Sequence, residues 1–322
     1  MTDSGMYAGL MPLLEDVWEH GEGSVKAVYY FYSGDLSLPD PAHDVDQQTA
    51  FVETLWQGLA DVYDDVGMIS GTEDGIKQGS PTPVWLFPQD ADQNLDRKCW
   101  ENFYHIYRQA PYRRTTHRVY ARFDESDYAT NAIGGALAVA NNKGLPTSSG
   151  ADDRGIWEGV TSLKVAAPGG ANRRDHLVVY LSDEDWVLPV ANLLRDAQAR
   201  GETRLREGVP PGLRIIDQAQ PGIGTAAEPP RLNGQNQSFG MVLAREISAA
   251  YEGLDEIDFD RFVQEVTNRL IAIGINPRKP YLPPKRRRDR SGRRNPRYRA
   301  TALEPADPVV GAPVDAPVEY AG

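Results

Sequence analysis

GVTSLKVAAPGGANRRDHLVVYLS, from Gly159 to Ser182, is the stretch from which the fold is read. Polar Ser162 and Lys164 alternate with apolar Leu163 and Val165, the period of a strand with one wet and one dry face. LVVYL is a second β-rich run, and the glycine-rich PGGAN between them is a turn, so the segment predicts two neighbouring strands.

Upstream, YRRTTHRVYARF (Tyr112–Phe123) alternates in the same way. It places Val119, Ala121 and Phe123 on one face and Arg118, Tyr120 and Arg122 on the other. Helical spacing is predicted in GLMPLLEDVWEH (9–20), in residues 44–66 through Phe51, Leu55, Leu59 and Val62, and in DYATNAIGGALAVANNKG (127–144). It is predicted again in VLPVANLLRDAQARG (187–201), SFGMVLAREISAAYEGL (238–254) and FDRFVQEVTNRLIAIG (259–274). VKAVYYFYSG (25–34) reads as β-like, IKQG (76–79) and PVWLF (83–87) as short strands, and NLDRKCWENFYHIYRQAP (94–111) as helical up to its proline. A long irregular stretch runs from Val209 to Gln237. The expectation is an α+β fold: a mixed or antiparallel sheet flanked by helices.

From about Ile275 the apolar periodicity stops and prolines accumulate. The domain is therefore expected to span 1–275 and a disordered Arg- and Pro-rich tail to span 276–322. Arg278 to Arg299 holds 11 Lys/Arg against Asp289, a net +10 inside a chain of −12, so the remainder carries −22. An acidic body argues against nucleic-acid binding by the fold itself and leaves only the basic tail for it. No 18-residue apolar run and no basic signal-type leader is present, so the chain is expected in the cytoplasm and not in a membrane. Cys99 is the lone cysteine, which excludes an internal disulfide and a cysteine-based zinc site. The five histidines show no metal-ligand spacing, and Walker, dinucleotide, HExxH and GxSxG motifs are absent, so neither metal nor cofactor is expected.

What remains is a concentration of cations on strands within an acidic body: Arg113, Arg114, His117, Arg118 and Arg122, then Lys164, then Arg173, Arg174 and His176. A forked guanidinium suits phosphate, so an anion pocket is one reading; ion pairs to the abundant Asp and Glu on a solvent face is the other. Lys164, between Leu163 and Val165, is a half-buried candidate, and a desolvated lysine gives up its proton more readily and can act as a base. Ser238 ahead of FGMVLAREI is an N-cap candidate, at a helix end that could also receive phosphate.

HRVYARF (117–123), SLKVAAP (162–168), RRDHLVVYLS (173–182), QPGIGTAAEPP (220–230) and SFGMVLAREISAAY (238–251) together, in this order, resemble the HopA-type (HrmA-like) effector family over roughly residues 100 to 255. GLPTSSGADDRGIWEGVT looks like an insertion ahead of SLKV. For actinobacterial members the resemblance implies the lyase partner of a kinase-like phosphotransferase in class V lanthipeptide or thioamitide biosynthesis. That lyase eliminates phosphate from a phosphorylated Ser or Thr of a precursor peptide to leave dehydroalanine or dehydrobutyrine. Laid over these motifs, elimination chemistry assigns Lys164 as base, Arg118 and Arg174 as phosphate clamps with Arg245 assisting, and His117 or His176 as acid. Tyr120 and Tyr180 orient the substrate, and Arg122 and Ser238 complete the binding set. The alternatives are a noncatalytic module that binds the leader peptide or kinase, and a type III effector-like protein. Within the site, Arg174–Asp175 as a plain ion pair and Tyr120 and Tyr180 as core residues are the competing readings.

Overall fold

The computed structural model describes residues 8–34, 45–62, 66–68, 84–88, 103–108, 114–142, 159–219, 222–230, 237–253 and 258–284. The hairpin predicted from residues 159–182 forms: β5 (Val160–Ala166) and β6 (Leu177–Leu181) are antiparallel neighbours, with Leu163 opposite Val179 and Lys164 opposite Val178. They sit at the centre of an eight-stranded sheet completed by β1 (Val66–Met68), β2 (Val84–Pro88), β3 (Phe103–Arg108), β4 (His117–Ala121), β7 (Arg214–Ile215) and β8 (Ile223–Ala227). The strand order is β1-β2-β3-β5-β6-β4-β8-β7, with only β1 and β2 parallel.

Helices cover both faces. On one side α3 (Val45–Ala60), α4 (Tyr128–Ala140) and α5 (Val187–Ala199) bury Phe51, Leu55, Ala136, Val190 and Leu194 against Val119, Phe123, Leu163 and Val179 of the sheet. On the other, α1 (Met11–His20), α2 (Val25–Ser33), α6 (Phe239–Glu252) and α7 (Phe259–Ala272) bury Leu14, Val28, Leu243 and Phe262 over Tyr120, Val178 and Ala226. Strand alternation thus feeds two cores, and burial of apolar area on both faces is what holds the layers together.

Two expectations are corrected. VKAVYYFYSG is the helix α2: Ser24 caps it by accepting from the Ala27 N–H, Gly34 closes it in the left-handed region at φ 78°, and Val28, Phe31 and Tyr32 face the core. The capping residue and the i, i+3, i+4 apolar set override the strand preference of its aromatics. Conversely, residues 103–108, expected to be helical, form β3 between β2 and β5, because Phe103 and His105 alternate with Tyr104 and Ile106 across a paired strand. PVWLF does contain β2, and the irregular stretch 209–237 contains β7 and β8; IKQG, Cys99, Arg113 and most of the supposed insertion lie outside the described residues. The chain also packs past residue 275. Tyr281 rests on the second core and its carbonyl accepts from the Ala227 N–H at 2.8 Å. Residues 285–322, the rest of the expected tail, lie outside the described residues.

Candidate functional site

Antiparallel register puts directly paired residues on one face. On the α2/α6 face this forms two polar rows: His105, Lys164, Val178 and Tyr120 in one, Ser162, Tyr180 and Arg118 in the next. The rows lie beneath α2 and the start of α6, and all of these side chains except that of half-buried Tyr180 are buried.

Lys164 is the least compensated member. Its Nζ lies 3.8 Å from the Phe103 ring centroid, and among the described residues it forms no ion pair or hydrogen bond. Burial draws its ammonium down to about 8 against the pull of Asp175, with Arg173 and Arg118 adding to the depression. The arginines are in the opposite situation. Arg118 donates to both oxygens of Glu228, from Nε at 2.6 Å and from Nη2 at 2.5 Å, reaches the Gln237 carbonyl at 3.3 Å, and stacks over Tyr180 at 4.8 Å. Arg173 forks onto Asp175 at 2.8 and 3.2 Å, reaches the Tyr29 hydroxyl at 3.4 Å and lies 4.9 Å from the Phe103 centroid. Buried guanidinium charges are tolerable only with such pairing. Burial raises the tyrosines too, Tyr180 to about 12, so Tyr29, Tyr32, Tyr120 and Tyr180 are hydroxyl donors at neutral pH. His105, opposite Lys164, is pushed down to about 3 by burial and by Lys164, and stays neutral.

Of the residues singled out from the sequence, the fold gathers Lys164, Arg118, Tyr120 and Tyr180, with Ser238 at the N-cap of α6 close to Tyr29. The others are elsewhere. His117 has the opposite strand parity and points to Thr116 and Glu184, at 3.0 and 3.8 Å. His176 is locked as a neutral structural imidazole: Nδ1 accepts from the Phe123 N–H at 2.9 Å, Nε2 donates to the Ala171 carbonyl at 2.9 Å, and burial lowers it to about 4. Neither histidine is placed to protonate a leaving group bound near Lys164. Arg122 binds Glu125 and the carbonyls of Glu207 and Gly208 just past the end of β4. Arg174 packs on Gly34 rather than on Asp175, which instead binds Arg173, and Arg245 is exposed on α6. Tyr29, Tyr32, His105, Asp175 and Glu228 join the cluster without having been singled out. The parity of Arg173 with Asp175 was the available signal for one of them.

Among the described residues no group of three or more His, Cys, Asp and Glu could hold a metal, and no helix is long and apolar enough to cross a membrane. An open depression of about 350 Å³ lined by Leu137, Asn141, Asn142 and Arg200 lies on the other layer, away from the cluster.

Fold and site together define an α+β protein with a buried Lys–Tyr–Arg cluster on the inner face of its sheet. Residues 160–282 match the model of the HopA1 effector protein family, and the match includes four of the five segments on which the sequence resemblance rests, those with SLKV, RRDHLVVY, PGIG and SFG, while HRVYARF lies ahead of it. Two solved structures share the fold. One is the effector protein from Pseudomonas syringae pv. syringae strain 61, at TM-score 0.55 and 18% identity over 86% of this chain and 97% of that one. The other is the effector protein from Pseudomonas syringae pv. tomato strain DC3000, at 0.52 and 19% over 86% and 96%. No curated protein matches the sequence.

Proposed function

We propose that this chain is a carbon–oxygen lyase that eliminates phosphate from phosphorylated Ser or Thr in a peptide, with Lys164 as the base. The observation that carries the reading is the Lys164 amine itself: buried, without a carboxylate partner among the described residues, and titrating about where a general base should. The neutral amine takes the Cα proton, the Cα–H electron pair becomes the Cα–Cβ double bond, and the Cβ–O bond breaks with its pair leaving on phosphate. Tyr120 and Tyr180 supply hydroxyl donors to the substrate carbonyl and leaving group, and Arg118 is the phosphate-matching cation of the second row. No cofactor enters this chemistry. The partners it calls for are a kinase-like phosphotransferase, which makes the phosphopeptide, and a precursor peptide carrying a leader. The test is mass spectrometry of a phosphothreonine peptide incubated with the protein, where loss of one phosphoric acid per modified residue is expected.

A second reading, a noncatalytic module that holds a peptide or kinase, is favoured by one feature: the arginines flanking Lys164 are already matched by Glu228 and Asp175. Under that reading Lys164→Ala weakens partner binding, whereas for a base it abolishes turnover and leaves binding intact. The effector-like alternative draws on the fold shared with the two Pseudomonas syringae proteins.

A further inference from the structure

Three incomplete polar arrangements meet at the first turn of α6. The first backbone N–H groups of any helix lack intrahelical acceptors; Ser238 satisfies that of Met241 through its side chain, and those of Phe239 and Gly240 have no acceptor among the described residues. The second is Tyr32, 2% exposed, whose hydroxyl has no hydrogen-bond partner among the described residues. Its ring lies so close to Gly240 that an added Cβ would stand 2.2 Å from a ring carbon and 2.8 Å from Cζ, which places the hydroxyl beside that turn. Its charged and titratable neighbours are Tyr120, Asp175, Tyr29 and Arg118, so it faces the polar rows of the sheet. The third is Gln237, whose carbonyl takes a donor from Arg118 while its buried side-chain Oε1 has none among the described residues.

A buried hydroxyl left unbonded costs free energy comparable to a lost hydrogen bond, so a matching ligand group at this place is favoured. The helix N-terminus, the guanidinium and the hydroxyl all donate to an anion, while Gln237 Oε1 asks for a donor, as a peptide N–H would provide. An anion is already present in part: the Glu228 carboxylate holds both donor arms of Arg118.

We propose that the N-terminal turn of α6, the Tyr32 hydroxyl and the Arg118 guanidinium form a subsite for the phosphate monoester of a phosphopeptide, with the Glu228 carboxylate as its built-in competitor. The inference rests on the phosphopeptide reading above and adds where the phosphate sits. It also assigns Tyr32 a direct contact to the phosphate.

The experiment is calorimetric titration of the full chain with inorganic phosphate, which cannot be eliminated, for wild type, Tyr32→Phe and Glu228→Gln, with melting temperatures recorded alongside. Tyr32→Phe should weaken binding about tenfold, the effect of losing one hydrogen bond to a charged group. Glu228→Gln should tighten it about threefold by freeing Arg118, a direction that partial unfolding cannot produce. Unchanged affinity in Tyr32→Phe, or weaker binding in Glu228→Gln, overturns the subsite. Because phosphate binding is measured apart from turnover, this pattern appearing in a protein that eliminates nothing would overturn the lyase reading alone. Elimination without the pattern would overturn the subsite alone.

Discussion

The Lys164 amine and the Phe103 ring face each other at 3.8 Å, a cation–π contact that connects β5 to β3 in place of the ion pair a buried lysine would ordinarily require. An aromatic face steadies the ammonium less than a carboxylate does, so the amine is held near its point of deprotonation.

The first consequence is a rate that rises with pH. If neutral Lys164 removes the substrate proton, kcat/KM for elimination should climb through a single ionisation near pH 8 and level off above it. A profile flat from pH 6 to 9 would show that another group, or none, is the base.

Stability should move the opposite way when the charge is removed. The folded state lowers the Lys164 ionisation from 10.5 to about 8, so wild-type stability increases as pH rises from 8 to 10.5, where only the unfolded chain still binds the proton. Lys164→Met should therefore stabilise the fold at neutral pH, by roughly 1–3 kcal/mol in urea denaturation, and flatten that alkaline gain. Equal or lower stability than wild type would mean that the amine is better compensated than its contacts indicate.

Acid should weaken the protein through its buried imidazoles. His176 and His105 are lowered to about 4 and about 3 by burial, while in the unfolded chain each takes a proton near 6.5. Their contribution is fully present above 6.5 and is lost as pH falls from there toward 4. His176→Ala also orphans the Phe123 N–H, and a loss of about 2–4 kcal/mol is expected in thermal melts at pH 7.

Arg173 and Asp175, with side chains 3% and 5% exposed, are a pair that cannot be halved safely. Asp175→Ala should cost about 3–5 kcal/mol by leaving the guanidinium uncompensated, and Arg173→Met combined with Asp175→Leu should recover much of it. Additive losses in the cycle of Arg173→Met, Asp175→Leu and their combination would argue that the two act independently.

How much of this could be read in advance depended on strand parity. Leu163 and Val165 around Lys164 located the lysine, and alternation in HRVYARF put Arg118 and Tyr120 together; the same rule placed His117 on the far face, a signal the chemical assignment overrode. His176 and Arg174 follow a turn, where parity is lost. Tyr29 and Tyr32 stayed hidden because a run of aromatics reads as a strand until Ser24 and Gly34 are recognised as caps. Glu228 meets Arg118 only through the β4–β8 pairing, a contact 110 residues apart that no local pattern encodes.

The role of Lys164 as base is decided by mass spectrometry of one phosphothreonine peptide incubated with wild type and with Lys164→Ala, with binding of the same peptide measured for both. Loss of phosphoric acid is expected with wild type and none with the variant, with peptide affinity unchanged within about twofold. A variant that still eliminates phosphate, or a wild type that binds the peptide and leaves it intact, would contradict that role.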